Sequence, residues 1–546
     1  MKKFYFDITE MMSKPIDILL ISLLSVILLW QPYYLYQQVN LFEWGLYLPG
    51  IDAVAQGQIP YRDFFHMRGP FELYVPAFFM SVFGFRADVL GTYFYLGSVL
   101  TILVILWIAY ELIKQRALLY CFVLVLIART FPRVVFTFWG GMRYAWGALA
   151  IWGLVKAFKT RRRRWFLASG VFMGISFLTS IEIGIGVFFA FLALNVVVKE
   201  IRKSAGLFLA GFLVIILPYF IYLLTQNALG PYLQAQIVVV TKNPNTFLQI
   251  EPTPNTPTKF VHALFVPSDM NFRQMTPFYC YIAFVCFYFW RWINKKVTVL
   301  DQALVAVAAY GIILYTTGFR SLWASVFEMS LQPEKIILFY LLAQLVSEIK
   351  YKFNKFKWVA TIVLVAIVLS SVVYSTGRFN KRFFTVAWLG KKIAGKDTAK
   401  LVPLSEQSTQ LLDLPRIKHM VVPSWQAEDL KQLKSFIDKH TKPHERVWMY
   451  PELASLHFIL NRPWVGRFPM GTSPWLDEGW FIEYEKDLQA APPEYAIVNK
   501  VIPSYFEKNY FPIKASKVKY ERMMNFLQSH YVVEESTPTY FIYRRH

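Results

Sequence analysis

Positions 161–203 read RRRRWFLASGVFMGISFLTSIEIGIGVFFAFLALNVVVKEIRK. Between the arginine run at 161–164 and the cations at 199–203 lie 34 residues whose single charge is Glu182. A membrane-crossing helix needs about 20 mostly apolar residues. The stretch therefore reads as two short spans, 165–181 and 183–198, joined by a tight hairpin at Glu182. Both basic clusters then fall on one side of the membrane, where Lys and Arg accumulate when that side is the cytoplasm.

Working outward, further apolar runs at 16–36, 89–113, 117–136, 144–159, 205–225, 277–293, 300–319, 336–349 and 358–377 bring the candidate spans to eleven. The composition agrees: 56% of the 546 residues are hydrophobic, 18% aromatic and only 17% charged, with a mean hydropathy of +0.37. Ordinary soluble domains carry about 25% charged residues. Disorder, a coiled coil and a purely soluble enzyme are thereby excluded. The first run, 16–36, is too long for a signal-peptide core and lacks a small-residue cleavage site, so it reads as a retained helix. Cys121, Cys280 and Cys286 all lie inside apolar runs, which points to small packing residues rather than a disulfide framework or a zinc site.

The net charge of +22 would fit a nucleic-acid binder, but its placement fits a membrane. With the N-terminus inside, 21 of the 33 basic residues before position 379 sit at cytoplasmic helix ends. The opposite side keeps 12, nearly balanced by ten acids. Counting the short run 71–84 as a span would turn the 161–164 arginines outward. That run, after Gly69-Pro70 and flanked by Arg68 and Arg86, reads instead as a helix lying in the interface. The partners this implies are membrane lipids and no nucleic acid.

The same topology exposes outer loops at 37–88 and 226–276, the second with a Pro-rich middle expected to be extended. It also exposes the segment 378–546, where composition turns ordinary. Strand-like runs at 446–450, 495–498 and 540–543 alternate there with helical patterns such as 427–440. The expected architecture is a polytopic α-helical membrane domain, 1–377, followed by an extracytoplasmic α/β domain, 378–546.

Charged side chains at membrane depth are costly and so mark function. On the outer side they are Glu43, Asp52, Asp63, His66, Arg68 and Glu72 in the first loop, with Arg143, Glu182, Arg320, Glu334 and Lys335 at helix ends. Carboxylates can take a proton from an acceptor hydroxyl or hold a metal, while Arg and Lys can hold a phosphate leaving group. On that chemistry Glu43, Asp63 and Asp52 are candidate catalytic acids. Arg143, Arg320 and Lys335 are candidate phosphate ligands, supported by Glu182, Glu334, His66 and Arg68. A divalent metal is compatible with the carboxylates. No nucleotide-type Gly-rich loop appears.

The stretch EWGLY at 43–47, then GQIPYRDFF at 57–65, then Gly69-Pro70 and an amphipathic run ending Phe83-Gly84 resembles a known pattern. It is similar to the first outer loop of the GT-C superfamily of integral-membrane glycosyltransferases. The branch is the bacterial family-39-like one, near the protein O-mannosyltransferases and lipid A aminoarabinose transferases. The TSIEIG turn at 179–184 is similar to a Glu-Ile-Gly turn of the same branch. The resemblance in topology covers the whole chain, and that in motif about fifty residues. It implies transfer of a sugar from a polyprenyl-phosphate-linked donor to a glycan, lipid or protein acceptor, on the outer face of a bacterial cytoplasmic membrane, with a loop carboxylate as base. Where the family opens the loop with Asp-Glu, this chain has Phe42-Glu43. Glu43 alone, or Asp52, or Asp63 then carries the role. Functions of other classes are a carrier or flippase for lipid-linked glycans and a non-catalytic envelope scaffold. A carrier would favour repeated halves with charges at mid-helix, and the acids here gather at one outer face.

Overall fold

A computed structural model describes residues 13–30, 41–130, 141–241, 261–262, 264–265, 269–318, 332–351, 391–395, 409–469, 476–502 and 504–546. In chain order the helices before the polar tail are α1 (Pro15–Leu29), α2 (Leu41–Gly45), α3 (Leu48–Ala55), α4 (Phe71–Phe83), α5 (Ala87–Leu112), α6 (Arg116–Thr130) and α7 (Gly141–Thr160). They continue as α8 (Arg163–Thr179), α9 (Ile181–Val197), α10 (Ala205–Thr225), α11 (Leu229–Thr241), α12 (Asp269–Ile293), α13 (Val299–Gly318) and α14 (Gln332–Tyr351). Helices lie over ten of the expected spans, and the eleventh, 358–377, lies outside the described residues. Among the described residues three stretches, Ala87–Leu112, Ile201–Thr225 and Val299–Thr316, are long and apolar enough to cross a membrane.

The chain folds as two compact units. The first comprises Met1–Pro32, Phe94–Pro218 and Thr253–Pro403. Its core is one continuous apolar cluster running from Ile21 through Leu106, Phe122, Leu154 and Val187 to Phe339. Acids inside such a bundle need partners, because an unpaired buried charge is strongly destabilising. Asp17, fully buried, accepts from Arg116 Nε at 2.8 Å and from the Tyr120 hydroxyl at 2.9 Å. Glu111 is held by Lys156 at 2.5 Å and by Lys159. Asp301 accepts from Arg291 at 2.8 Å, from the Thr298 N–H and hydroxyl at 2.7 Å each, and from Tyr340 at 2.7 Å. Several cations that the charge count assigns to one membrane side thus neutralise acids at the same helix ends.

The second unit joins Tyr33–Tyr93, Tyr219–Pro252 and Leu404–His546. Its tail contains β1 (Thr409–Leu411), β2 (Val421–Pro423), α15 (Ser424–His440), β3 (Val447–Tyr450), α16 (Ala454–Leu460), α17 (Glu478–Ala490), β4 (Tyr495–Asn499), α18 (Ser504–Tyr510), α19 (Lys514–His530), β5 (Tyr531–Ser536) and β6 (Tyr540–Arg545). The main sheet has the order β3-β4-β6-β5, with β3 parallel to β4 and the other pairs antiparallel. The four residues of β3 and the first four of β4 are buried, as expected of parallel strands covered on both faces. At the edge, β5 buries only Tyr531. The boundary expected near 377 lies outside the described residues.

Two expectations for the outer loops meet the structure here. The run 71–84 forms α4, whose Leu73, Pro76, Ala77 and Met80 are buried while Phe78, Val82 and Phe83 are 59–72% exposed. The loop 226–276 is helical at both flanks, in α11 and the start of α12. Tyr232, Ala235 and Val238 recur three residues apart and are buried, which is the period of one helix face. The Pro-rich middle lies outside the described residues.

Candidate functional site

Within the first unit, polar side chains gather from five helices, α7, α9, α12, α13 and α14. The Arg143 and Tyr144 side chains leave the first turn of α7, and Glu182 leaves the first turn of α9. Two close approaches show that these ends adjoin α13. A Cβ at Gly147 would collide with Ile183 and with the Tyr310 hydroxyl, and one at Gly311 would collide with the Tyr281 hydroxyl and Pro333. Beside Pro333 in the first turn of α14 stand Glu334 and Lys335, 5% and 8% exposed. The Cys280 thiol lies 3.6 Å from Glu334 Oε1, and the Tyr281 and Tyr315 rings meet at 6.2 Å. The structure therefore sets Arg143 near Glu182, and puts Glu334 and Lys335 in the first turn of a helix that packs against the same α13.

Arg143 is the most informative of these side chains. It is 6% exposed, its guanidinium stands 4.8 Å from the Tyr144 ring centre, and its Nη2 donates to the Tyr144 hydroxyl at 3.2 Å. Glu182 approaches only to 3.9 Å, and Nε has no partner among the described residues. A buried planar guanidinium with donor capacity left over suits an oxyanion such as phosphate, two of whose oxygens its fork can meet. Arg320 lies outside the described residues.

The first-loop residues form a separate constellation in the second unit. Residues 57–68 turn sharply: the Tyr61 N–H donates to the Phe64 carbonyl at 2.6 Å, and Tyr61 adopts φ +70°, unusual for a bulky residue. Burial holds it there, with its ring 5.0 Å from Tyr232 and its hydroxyl donating to the Arg68 carbonyl. Asp63 accepts from Arg62 through both oxygens, at 2.7 and 2.9 Å, and from the Ile59 N–H at 2.8 Å. The Arg62 hydrogen bonds hold its carboxyl below the usual range. Asp52 pairs with Arg416 of the tail at 2.7 Å. Arg68 donates to Tyr47 and, at 3.2 Å, to Glu72. His66 is 5% exposed, and burial, aided by the Arg68 charge, takes it down to about 3. Its Nε2 has no hydrogen-bond partner among the described residues. Glu43 belongs to α2, but its side chain lies outside the described residues.

The tail seats directly on this loop. The Phe65 N–H donates to the Arg467 carbonyl at 2.6 Å, and Arg467 Nη1 reaches the Tyr61 carbonyl at 3.4 Å. The Phe65 ring lies 4.6 Å from Trp480 and 5.7 Å from Phe468, while Phe64 meets Trp464 at 6.2 Å. Gly45 packs against Ala454 and Ser455. Sequence reasoning missed Arg416 and Arg467, because arginines in a segment of ordinary composition look like surface residues. It also missed Tyr144, Tyr281, Tyr310 and Tyr315. Their signal was a hydroxyl inside otherwise apolar spans. Among the described residues no three His, Cys, Asp or Glu side chains converge as a metal site would require.

No family model and no curated protein matches the chain in sequence. In structure it is similar to ArnT from Cupriavidus metallidurans bound to undecaprenyl phosphate, with a TM-score of 0.51 and 12% identity over 97% of this chain and 98% of that one. The apo state of the same protein gives a TM-score of 0.50 and 14% identity over 97% of each chain. An oligosaccharyltransferase from Archaeoglobus fulgidus gives 0.49 and 12%, over 88% of this chain and 69% of that one. The likeness to ArnT runs from end to end and shows that this chain has the ArnT fold, in line with the resemblance drawn from the sequence.

Proposed function

We propose that the protein is a glycosyltransferase that moves a sugar from a polyprenyl-phosphate-linked donor to an envelope glycan, lipid or protein. The reaction would take place at the outer face of a bacterial cytoplasmic membrane, with the tail extracytoplasmic. The observation that carries this reading is Arg143, a buried guanidinium with an unused N–H in a layer that also holds Lys335, Glu182 and Glu334. The fold supports it, since the ArnT structure that matches over 97% of this chain holds undecaprenyl phosphate.

In this reading the acceptor hydroxyl gives its proton to a first-loop carboxylate, and its oxygen attacks the anomeric carbon. The bond from that carbon to the phosphate oxygen breaks, and the phosphate leaves with the electron pair. Arg143 and Lys335, with Arg320, stabilise the growing negative charge. Glu43 is the preferred base. Asp63 is committed to Arg62 and to the turn at Ile59, and its lowered proton affinity makes it a poor one. Asp52 in its ion pair with Arg416 serves to position the loop.

The test pairs two measurements. Purified protein is supplied with polyprenyl-phosphate-linked sugars and assayed for released polyprenyl phosphate, and envelope glycans from cells with and without the gene are compared by mass spectrometry. A sugar missing from one envelope component, together with donor turnover in vitro, is the expected result. Identical glycans and an untouched donor pool would overturn the reading.

A further inference from the structure

At the basic end of the first unit, α9 and α10 diverge around a groove of about 580 Å³. Its walls are Phe188, Phe191, Leu192, Val196, Ala205 and Leu209, and its polar end carries Asn195 and Arg202. The Phe191 and Phe208 rings stack at 3.9 Å on its inner side, so the groove has a firm floor. Its outer rim is open, with Val196 75% and Leu209 43% exposed. The neighbouring apolar stretch Ile201–Thr225 is mostly unburied, so among the described residues this flank of the bundle is apolar and little covered by protein.

Charge collects at one end of the groove. Arg202 of the 3-10 turn Lys199–Ser204 lines the groove, and Lys199 and Lys203 belong to the same turn, all three exposed. Glu200 is the single acid in the turn. Arg202 Nε is tied to the Asn195 carbonyl at 3.1 Å, which aims the guanidinium along the groove's end, and its terminal nitrogens have no partner among the described residues. The exposed arginines at 161–164 stand at the same end of the bundle, since the first turns of α8 and α10 adjoin where Gly211 packs on Leu167.

We infer that this groove is a binding site for an anionic glycerophospholipid of the surrounding leaflet. One acyl chain lies along the Phe188–Leu209 wall, and the phosphate sits against Arg202, Lys203 and Lys199. An apolar channel open along its side and closed by cations at one end matches a molecule with a flexible apolar chain and a negatively charged head. The site lies apart from the polar layer, since Glu182 of that layer is in the first turn of α9 and the groove is along its last turns, and it does not depend on the transferase reading.

The full chain, purified in a neutral detergent, is to be mixed with phosphatidylglycerol and phosphatidylcholine of identical chains and read by native mass spectrometry. Phosphatidylglycerol should be retained preferentially. In the double variant Arg202→Gln/Lys203→Gln that preference should fall by roughly fivefold for each cation removed. Val196→Trp fills the groove at an exposed position, and should remove retention of both lipids while the thermal transition stays in place. Equal retention of the two lipids by the unmodified protein, or an unchanged preference in the charge variant, would overturn the proposal. So would displacement of phosphatidylglycerol by a much lower concentration of polyprenyl phosphate, which would give the groove to the donor's carrier lipid.

Discussion

The seat of the tail on the first loop turns on Phe65. Its side chain is 2% exposed between Trp480 and Phe468, and its backbone is hydrogen-bonded to Arg467. Replacing it with Ala removes the ring and leaves a cavity that two other large rings cannot readily close. Buried Phe→Ala changes cost about 3–5 kcal/mol. At about 1.4 kcal/mol per decade, that raises the population of the opened loop at least about 100-fold. By contrast, Asp52→Asn removes the charge from one ion pair at the edge of the tail–loop contact but leaves an amide oxygen to accept from Arg416, a smaller loss than that of a core ring. The assay is hydrogen exchange on full-length protein, followed peptide by peptide. Protection should collapse in residues 59–68 and 464–468 of Phe65→Ala, change little in Asp52→Asn, and persist in the β3-β4-β6-β5 sheet. Turnover should fall with loop protection. Unaltered exchange at 59–68 in Phe65→Ala would refute the claim that tail and loop share one core.

Three further expectations follow from the same structure. Glu43→Gln should lower the transfer rate by about 10²–10⁴-fold, the usual loss on removing a general base, with normal expression, while Asp63→Asn should chiefly loosen the 59–68 turn. Arg143→Ala should weaken donor binding far more than it lowers the melting temperature, as measured by binding of polyprenyl phosphate. Stability of the second unit should fall as the pH drops: burial takes His457 down to about 4 and His66 to about 3, so both are neutral when folded and charge only on unfolding. Their contribution is complete above about pH 6.5 and lost progressively below it, by about 3 kcal/mol for His457 at pH 4, which His457→Gln should flatten in pH-dependent melting curves.

Much of this fold is legible in residue order because a bilayer imposes simple rules. Apolar runs such as 165–198 must be helical to satisfy their backbone, and cations gather on one side, so spans and turns could be placed from 161–203 outward. The strands at 447–450, 495–499 and 540–545 were visible for a related reason: buried β residues form short apolar runs. What composition could not show was pairing at a distance. Nothing in the sequence around Asp52 announces Arg416, 364 positions away, and nothing near Phe65 announces Trp480. Asp63 illustrates the difficulty at close range. Its place in the PYRDF motif marked it as catalytic, yet its neighbour Arg62 and the Ile59 N–H occupy both its oxygens. A carboxylate that shapes a turn and one that moves a proton look alike in a sequence.

Ion pairs are closer at one end of the first unit's helices than at the other. At the end rich in lysine and arginine, each buried acid is closely matched: Asp17 with Arg116 and Tyr120, Glu111 with Lys156 and Lys159, Asp301 with Arg291, Thr298 and Tyr340. Such close pairing is what stability in a low-dielectric bundle demands. At the other end Arg143 stands 3.9 Å from Glu182, with one guanidinium N–H unanswered among the described residues. Leaving a buried donor unsatisfied costs about 1–3 kcal/mol. An incoming anion removes it. On the proposed transferase reading the donor phosphate is that anion, and Arg143→Ala tests it.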